Sequence, residues 1–141
     1  MYPFDIDAFL AQPLVARVAT NGPTVRPVWF LWEEEAFWLL SGPWTKLLGR
    51  VRWDPALAIV VDICDVTTGL TRQVIARGKA ELLPFDVPRG HRMLSRYLGD
   101  DVDRWDPNFQ RYLLDTQRNP VWLKVQPTSL SANDLSYSAS Q

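Results

Sequence analysis

The chain has very little of the two residue types that build most disulfide and metal sites. Of its 141 residues one is a cysteine, Cys64, and one is a histidine, His91. A single cysteine excludes an intrachain disulfide or a cysteine cluster, and a single histidine leaves zinc without its usual ligands, so we expect no metal site. Cys64 lies in the apolar run VVDICDV, which predicts a small core residue. His91 falls in a predicted helix, where packing or exposure fits it better than catalysis.

Long apolar runs and an excess charge of either sign are also lacking. No run approaches the roughly 20 apolar residues of a membrane span, and Asp5 and Asp7 lie where a secretion signal has a basic and then an apolar segment. Lys and Arg number 15 against 16 Asp and Glu, a formal net charge of -1. We therefore expect a cytoplasmic protein whose partner is neither a nucleic acid nor a membrane, and in which local charge does any anion binding.

What the sequence does contain is a succession of short runs of β-branched and aromatic residues between turn signals. Five of these runs are typical of strands: LVARVAT, TVRPVWFLW, AFWLLS, ALAIVVDICD and RQVIARGKAELLP. Most of them follow one another too closely for an intervening helix, which predicts an antiparallel barrel or meander. A chain of this length is expected to form a single domain around one core.

Helical spacing of apolar residues occurs in three places. DIDAFLAQ predicts a short helix with an aspartate N-cap that ends at Pro13. TKLLGRVRWDP predicts one amphipathic helix that Pro55 closes. The segment 87–118 predicts two helices broken by GDD. A closing strand is predicted at 120–126, followed by a tail at 127–141.

The order of these segments resembles the FMN-binding split barrels of the pyridoxamine 5'-phosphate oxidase class and their deazaflavin-dependent relatives. The segments that carry the likeness are LVARVAT, RPVWFLW, the LLSGPWTK turn, the helix ending in RWDP, ALAIVVD and RQVIARGKAEL, in a core at 5–85. The resemblance implies a mainly β fold with peripheral helices, an antiparallel Greek-key split barrel of about six strands. It also implies a homodimer that holds its cofactor in the groove between the two chains.

The turn SGPWTK, residues 41–46, lies between two apolar strands and opens the predicted helix. Ser41 and Thr45 supply hydroxyls, Lys46 supplies an ammonium, and the helix N-terminus supplies backbone N–H groups and the positive end of its dipole. These are the donors that a phosphate ester needs. The structural alternatives are a simple N-cap role for Thr45 and a solvated position for Lys46.

The resemblance assigns further residues to the cofactor. Arg26 matches the arginine that meets the phosphate and the ribityl chain. The four residues after it are also assigned there, the last three along the isoalloxazine ring: Pro27, Val28, Trp29 and Phe30. Trp44, by contrast, stays open between the core, a dimer interface and the cofactor.

The triplet RQV at 72–74 is the second informative stretch. In the oxidase branch of the family, a glutamine at this point of the fifth strand reaches the flavin ring of the partner chain, and Gln73 matches it. The structural alternative is an ordinary outward-facing strand residue. Arg72 has Asp62 or Asp65 as possible cross-strand partners, and Gly78 predicts a bulge or close packing.

The C-terminus departs from the true oxidases, because LKVQPTSLSANDLSYSASQ lacks the arginine and histidine pair that holds their substrate phosphate. The resemblance then implies an oxidoreductase in which FMN, or alternatively coenzyme F-420, carries hydride to or from a small conjugated substrate. Both cofactors have a tricyclic ring and a ribityl phosphate, so a phosphate site does not separate them. Two alternatives stay open: a flavin-binding or storage protein without turnover, and a haem-binding split barrel with His91 as its sole imidazole. No acid or base stands out as catalytic.

Overall fold

A computed structural model describes residues 1–113 and 118–139, which form one curled antiparallel sheet with helices at its ends. The elements in chain order are α1 (Ile6–Leu10), β1 (Ala16–Thr20), β2 (Thr24–Val28), β3 (Leu31–Glu33), β4 (Ala36–Ser41), α2 (Lys46–Trp53), β5 (Ala56–Asp65), β6 (Leu70–Pro84), α3 (Val87–Leu98), α4 (Pro107–Tyr112) and β7 (Val121–Asp134). A single 3₁₀ turn, Val102–Arg104, lies between α3 and α4. The mainly β architecture is confirmed. The sheet has seven strands rather than about six because TVRPVWFLW forms two.

The curl of the sheet follows from the way its two edges are connected. The strand order is β2-β1-β5-β6-β7-β4-β3, so β2 and β3 are the two edge strands. Only Trp29 and Phe30 join them. Two residues span at most about 11 Å between the flanking Cα atoms, so the edges must come together and the sheet must close on itself. This closure is the split barrel that the resemblance implied.

The core fills the inside of the curl. Alternate residues of β1, β5 and β6 point inward, and α1 and α2 close the open sides. In α2 the buried positions are Leu47, Leu48 and Val51, at the helical spacing that the sequence predicts. α1 begins at the predicted aspartate cap, where Asp5 accepts a 3.0 Å hydrogen bond from the backbone N–H of Ala8.

A second cluster of buried residues lies outside the barrel. We call α3, the 3₁₀ turn and α4 the hood, because they cover the outer side of β3, β4 and β7. Met93 and Leu94 of the hood pack with Trp38 and Trp122, whose ring centroids lie 6.2 Å apart. The hood therefore buries several tryptophans within the chain. High tryptophan content alone thus does not require a partner chain.

Charged residues fasten the hood to the β3–β4 hairpin. Glu33 accepts hydrogen bonds from Arg89 at 2.9 Å and from Arg92 at 2.8 Å. The Arg89 guanidinium also lies 3.6 Å from the centre of the Trp38 ring, in a cation–π arrangement. The hood is thus held by ion pairs at its rim and by aromatic packing beneath.

Several local predictions differ from the structure. β7 runs to Asp134 and pairs with β6 along its whole length, so the predicted closing strand was too short and the predicted tail too long. Cys64 is exposed, not buried, because β5 extends past the barrel at that end. Arg72 pairs with Asp134 at 3.3 Å, and Asp62 pairs with Arg17 instead.

The predicted irregularity at Gly78 is confirmed. The register between β6 and β7 shifts between Arg77 and Gly78. A Cβ atom on Gly78 would lie 2.9 Å from the carbonyl oxygen of Gln126, so the two strands approach too closely for a side chain. The predicted second helix of 87–118 is seen up to Tyr112, and its continuation at 114–117 lies outside the described residues, as do the last two residues of the tail.

Among the described helices, none is long and apolar enough to cross a membrane.

Candidate cofactor site

Helix α2 lies beside β2, on the inner side of the sheet. An open cavity separates Asn21 and Gly22, in the turn before β2, from Gly49, Arg50 and Trp53 of the helix. A Cβ atom placed on Gly22 would lie 3.7 Å from an Nη atom of Arg50. The apolar side of α2 packs into the barrel core, which places the helix against the inward face of the neighbouring strands.

Arg26 points to this same side. Its Cα atom pairs with that of Val18 on β1, and directly opposed residues of an antiparallel pair share a face of the sheet. Val18 is buried in the core, so the face is the inner one. Arg26 and the packed side of α2 therefore both belong to the inner side of the sheet, and an anion site shared by Arg26 and the turn stays a prediction.

The hydroxyl groups of the SGPWTK turn lie together at the start of α2. The Oγ atom of Ser41 is 2.8 Å from Oγ1 of Thr45, and the backbone N–H of Thr45 donates to the Gly42 carbonyl at 3.0 Å. Thr45 holds the N-cap position, yet its side chain forms no capping hydrogen bond. The simple capping role is therefore not what the structure shows. The first-turn N–H groups of α2 have no side-chain cap.

Trp44 helps to shape this turn. Its ring lies over Gly42, where a Cβ atom would collide with it, so only glycine fits. The same ring meets Tyr112 of the hood edge-on at a centroid distance of 6.0 Å and stays 45% exposed. Trp44 thus connects the turn to the hood rather than filling the core.

The cations of this region form no ion pair in the described part of the chain, whereas five arginines elsewhere do: Arg17, Arg72, Arg89, Arg92 and Arg104. Within residues 1–113 and 118–139, no ion pair involves Arg26, Lys46 or Arg50. The Nε atom of Arg50 is buried and lacks a hydrogen-bond partner. Lys46 directly follows Thr45 at the uncapped N-terminus of α2, while Ser41 is fully buried beneath the Thr45 hydroxyl. An ammonium, a hydroxyl and free helix N–H groups form a donor set that fits a phosphate.

The five residues predicted along β2 and its exit do not share one environment. Pro27 is exposed, on the outer face opposite Arg17, and Val28 is half-buried on the inner face. Phe30 is fully buried in the barrel core, 5.6 Å from Phe37 between ring centroids, so its ring is not available to a ligand. Successive side chains of a strand point to opposite faces of the sheet, so Pro27 and Val28 lie on different faces. The strand ends at Val28, and Trp29 and Phe30 no longer follow this alternation.

Trp29 is half-buried beneath the hood. Its ring is stacked on that of Tyr97 with a centroid distance of 4.3 Å and an interplanar angle of 8°. Phe109 lies 5.5 Å away at 21°. At least one face of the indole is thus covered from within the chain, and only the rest of the ring remains for a ligand.

Gln73 lies away from the other predicted residues. It lies on the outer face of β6, which is separated from β2 by the two strands β1 and β5. Its Oε1 atom accepts a 3.2 Å hydrogen bond from the side-chain amide of Asn133. Contact between Gln73 and a cofactor therefore needs a second chain, and it stays a prediction.

Two residues of α3 that the sequence did not suggest hold the exit of β2. The Tyr97 hydroxyl accepts a hydrogen bond from the backbone N–H of Phe30 at 3.0 Å and donates to the carbonyl of Leu14 at 2.7 Å. Arg96 donates to the carbonyls of Phe30 at 2.8 Å and Leu10 at 3.0 Å. Burial raises the pKa of Tyr97 and lowers that of Arg96. The helical spacing predicted α3, but nothing local indicates contacts 66 residues away.

The profile of the family described as pyridoxamine 5'-phosphate oxidase matches residues 4–129, nearly the whole chain. The chain belongs to this family. The matched residues include the SGPWTK turn, β2 and the hood. Among curated proteins, no sequence matches the chain significantly.

Solved structures show the same fold in distant relatives of the family. A conserved hypothetical protein of Mycobacterium tuberculosis has a TM-score of 0.73 at 18% identity, over 95% of this chain and 85% of that one. A FAD-binding protein of Mesorhizobium loti has a TM-score of 0.66 at 20% identity, over 96% of each chain. An F-420 reductase has a TM-score of 0.61 at 22% identity, over 92% of this chain and 98% of that one.

Proposed function

We propose that this protein is a flavin- or deazaflavin-dependent oxidoreductase that binds FMN, or alternatively coenzyme F-420. The observation that carries the proposal is the donor set at the start of α2. There the Ser41 and Thr45 hydroxyls lie together beside uncapped helix N–H groups and the exposed Lys46, in a chain of the pyridoxamine 5'-phosphate oxidase family, and we take Arg26 of β2 to complete the set. A FAD-binding protein and an F-420 reductase with the same fold support this cofactor class.

The residues of the site divide the work of binding. Lys46 and Arg26 offer charge-assisted hydrogen bonds to the phosphate, and the two hydroxyls accept or donate beside them. Val28 and the uncovered part of Trp29 offer apolar contact to the ring system, and Gln73 offers a hydrogen bond to the ring edge from the other chain. When bound, the cofactor supplies hydride chemistry that protein side chains lack. The chain's own part is to bind, orient and exclude water.

The second part of the proposal is a homodimer with the cofactor at its interface. The outer face of β2 and its neighbours carries apolar side chains, among them Val25, which is 69% exposed, and the half-buried Val60 and Ile75. Gln73 lies on this outer face too. Exposed and half-exposed apolar residues on one sheet face favour an isologous interface. Light scattering should give twice the chain mass at micromolar concentration, and a monomer would contradict a shared groove.

Titration of the purified protein with each cofactor tests the proposal. Quenching of flavin and deazaflavin fluorescence measures the affinity for FMN and for F-420 in parallel. We expect saturable binding of at least one, with riboflavin weaker than FMN because it lacks the phosphate. Absence of binding by both would refute the proposal.

Turnover separates an oxidoreductase from a storage protein. The cofactor-loaded protein is mixed with a reductant for the bound cofactor and a panel of conjugated acceptors, and cofactor reoxidation is followed by absorbance. Acceptor-dependent reoxidation above that of free cofactor supports an enzyme. Binding without any such acceleration would favour storage.

A further inference from the structure

A cavity of about 470 Å³ opens beside α1, between the N-terminal segment, β3 and β7, and we call it the α1 cavity. Its volume lies within the range of about 300 to 1,000 Å³ that small-molecule pockets occupy. No residue that lines it is among those assigned to the cofactor. The aromatic and acidic side chains of its lining are Tyr2, Phe4, Asp5, Asp7, Trp32 and Glu35.

Two aromatic walls of the α1 cavity are held in place by the core. The Phe4 ring packs against Phe9 at a centroid distance of 5.1 Å, and the Trp32 ring meets Phe37 edge-on at 4.8 Å. Phe9 and Phe37 are both buried, so the two outer rings rest on fixed partners. The cavity thus offers preformed surfaces to a planar apolar group.

Three carboxylates line the same cavity, and hydrogen bonds orient two of them. Asp5 accepts a hydrogen bond from the backbone N–H of Ala8 at 3.0 Å, and Asp7 accepts one from the indole N–H of Trp32 at 2.8 Å. Glu35, in the β3–β4 turn, is the third. No ion pair of the described chain involves any of the three. An ionised carboxylate has two acceptor oxygens, so each retains capacity for a further donor.

The cations near the α1 cavity do not balance these carboxylates. Among the described residues that line it, none is a lysine, an arginine or a histidine. The Arg72 guanidinium lies over the Phe4 ring, 5.0 Å from its centroid, but Arg72 is paired with Asp134 at 3.3 Å. Lys79 lies opposite Gln126 of the wall in the β6–β7 register, so one lysine stands against three carboxylates. The remaining negative charge favours a cation in the cavity.

We propose that the α1 cavity binds an organic cation in which a primary ammonium is joined by a short chain to a planar ring. The ammonium has three N–H donors for charge-assisted hydrogen bonds to the carboxylates. The ring packs against Phe4 and Trp32, whose faces also attract a nearby cation. Charge alone would accept any cation and rings alone any apolar molecule, whereas the two together select a compound with both parts. The proposal does not rest on the proposed function, because it uses no residue assigned to the cofactor.

Three probes with the same ring and different charge test the proposal. At neutral pH tryptamine carries an ammonium, tryptophol a neutral hydroxyl and indole-3-propionate a carboxylate. Calorimetric titration at low ionic strength should show tryptamine binding at least about tenfold more tightly than tryptophol, with indole-3-propionate weakest because the carboxylates repel it. Equal affinities for the three probes, or no binding of tryptamine, would overturn the proposal.

The indole N–H of Trp32 reports where the probe binds. This group donates to Asp7 in the cavity wall, so its NMR signal should shift as tryptamine is added. The indole signal of Trp53, which is 78% exposed on α2, should stay in place. Trp32→Phe and Trp53→Phe assign the two signals. Saturable binding without a shift of the Trp32 signal would place tryptamine elsewhere and overturn the proposal.

A pair of variants tests the part played by charge. Asp7→Asn keeps the side-chain size and an acceptor for Trp32, and tryptamine affinity should fall about three- to tenfold while tryptophol affinity hardly changes. Asp100→Asn is the control for net charge, because Asp100 is exposed and forms no ion pair in the described chain. An equal loss in both variants would show a general charge effect and contradict the proposal.

A second variant serves if Asp7→Asn does not fold, which its thermal unfolding midpoint reports. Glu35→Gln changes an exposed side chain of the β3–β4 turn and should likewise weaken tryptamine by about three- to tenfold. Unchanged tryptamine affinity in whichever of these variants is folded would overturn the proposal.

Titration in the presence and absence of FMN separates this proposal from the proposed function. Tryptamine should bind without displacing FMN. If it displaces FMN, it occupies the cofactor site, so this proposal fails while the proposed function stands. If neither FMN nor F-420 binds, the proposed function fails, and tryptamine binding that shifts the Trp32 signal still supports the cation site.

Discussion

The turn at the start of α2 and the exit of β2 under the hood are held together in different ways. At the turn, Lys46 has no acidic partner within the described chain and the helix N-terminus has no side-chain cap; Arg26 of β2 likewise forms no ion pair there. Under the hood, the backbone groups of Phe30 are held by Arg96 and Tyr97. The groups of the turn are cations and helix N–H groups, which suit an anion, whereas Arg96 and Tyr97 hold the backbone under the hood. The buried atoms Ser95 Oγ, Arg96 Nε and Trp122 Nε1 also lack a hydrogen-bond partner in the described chain, so a missing partner alone does not identify a ligand site.

This contrast gives different expectations for the two regions. Changes in the turn should affect phosphate binding and leave stability nearly unchanged. Changes under the hood should affect stability first, and should affect all ligands of the site alike because they move its walls.

The largest effect is expected for Trp29→Ala. Removal of the indole leaves Tyr97 and Phe109 without their stacking partner and opens a cavity, which should cost about 2 to 4 kcal/mol of unfolding free energy for a half-buried tryptophan. Urea unfolding measures this loss. FMN and riboflavin should lose affinity by the same factor.

Trp29→Phe is the matched control, since it keeps a ring for stacking and should recover most of the stability. Normal stability in Trp29→Ala, together with weak cofactor binding, would mean that Trp29 contacts the ligand without supporting the fold. That result would contradict the difference between the turn and the region under the hood.

The next effect is expected for Lys46→Ala. Charge-assisted hydrogen bonds contribute about 1.5 to 3 kcal/mol, so FMN affinity should fall roughly tenfold to a hundredfold. Riboflavin affinity and unfolding free energy should hardly change, because Lys46 is exposed and forms no ion pair in the described chain. Arg26→Ala should behave in the same way, and Thr45→Ala should cost less.

Arg104→Ala is the control for net charge, since Arg104 is an exposed cation of the hood, far from the turn in the sequence. It should leave FMN affinity unchanged. Equal losses of FMN and riboflavin in Lys46→Ala would show that the residue supports the fold and does not hold a phosphate.

A smaller effect is expected for Tyr97→Phe. The phenyl ring still stacks on Trp29, but the backbone N–H of Phe30 and the carbonyl of Leu14 lose their shared partner, which should cost about 1 to 2 kcal/mol. Urea unfolding should show the loss, and the affinities for FMN and riboflavin should change together. A change in the affinity for FMN alone would mean that Tyr97 contributes to phosphate binding rather than to the support of the fold.

The smallest effect is expected for Glu33→Gln, at the rim of the hood. Hydrogen bonding to Arg92, with a further contribution from Arg89, lowers the pKa of Glu33 below its usual 4.5. Because the pKa of Glu33 is lower in the folded than in the unfolded protein, its ionised side chain stabilises the fold above about pH 4.5. This stabilisation is lost as the pH falls through the pKa of Glu33 in the folded protein. Glu33→Gln should cost less than about 1 kcal/mol at pH 7, since the pair is partly exposed.

Urea unfolding at pH 7 and pH 3 checks this expectation, with Glu35→Gln as a control. Glu35 is exposed and forms no ion pair in the described part of the chain. The difference between wild type and Glu33→Gln should shrink at the lower pH. A difference that stays constant would mean that the ion pairs do not fasten the hood.

Much of the sheet could be predicted because its signals are local. The alternation in ALAIVVDICD and the spacing of Leu47, Leu48 and Val51 depend on residues within one strand or one helical turn. The hydroxyls and the lysine of SGPWTK are neighbours in sequence for the same reason. The irregularity at Gly78 is also local, since a missing side chain is visible in the sequence itself.

Other features depend on residues that meet only when the chain folds. The polar run after Gln126 looks like a tail, yet β6 provides its backbone partners and makes it a strand. Cys64 has apolar neighbours in sequence, but it lies where β5 leaves the barrel. Phe30 and Trp29 are adjacent in the chain, and one enters the core while the other stacks under the hood.

By itself, the sequence determined the strands, α2 and the SGPWTK turn, because the side-chain periodicity and the turn residues that specify them extend over only a few neighbouring positions. Only the tertiary structure decided which polar groups find a partner within the described chain. Tyr97 reaches Phe30 across 67 residues, while no carboxylate in the described chain reaches Lys46. Such pairings follow from the closure of the sheet and the docking of the hood, which no local pattern encodes.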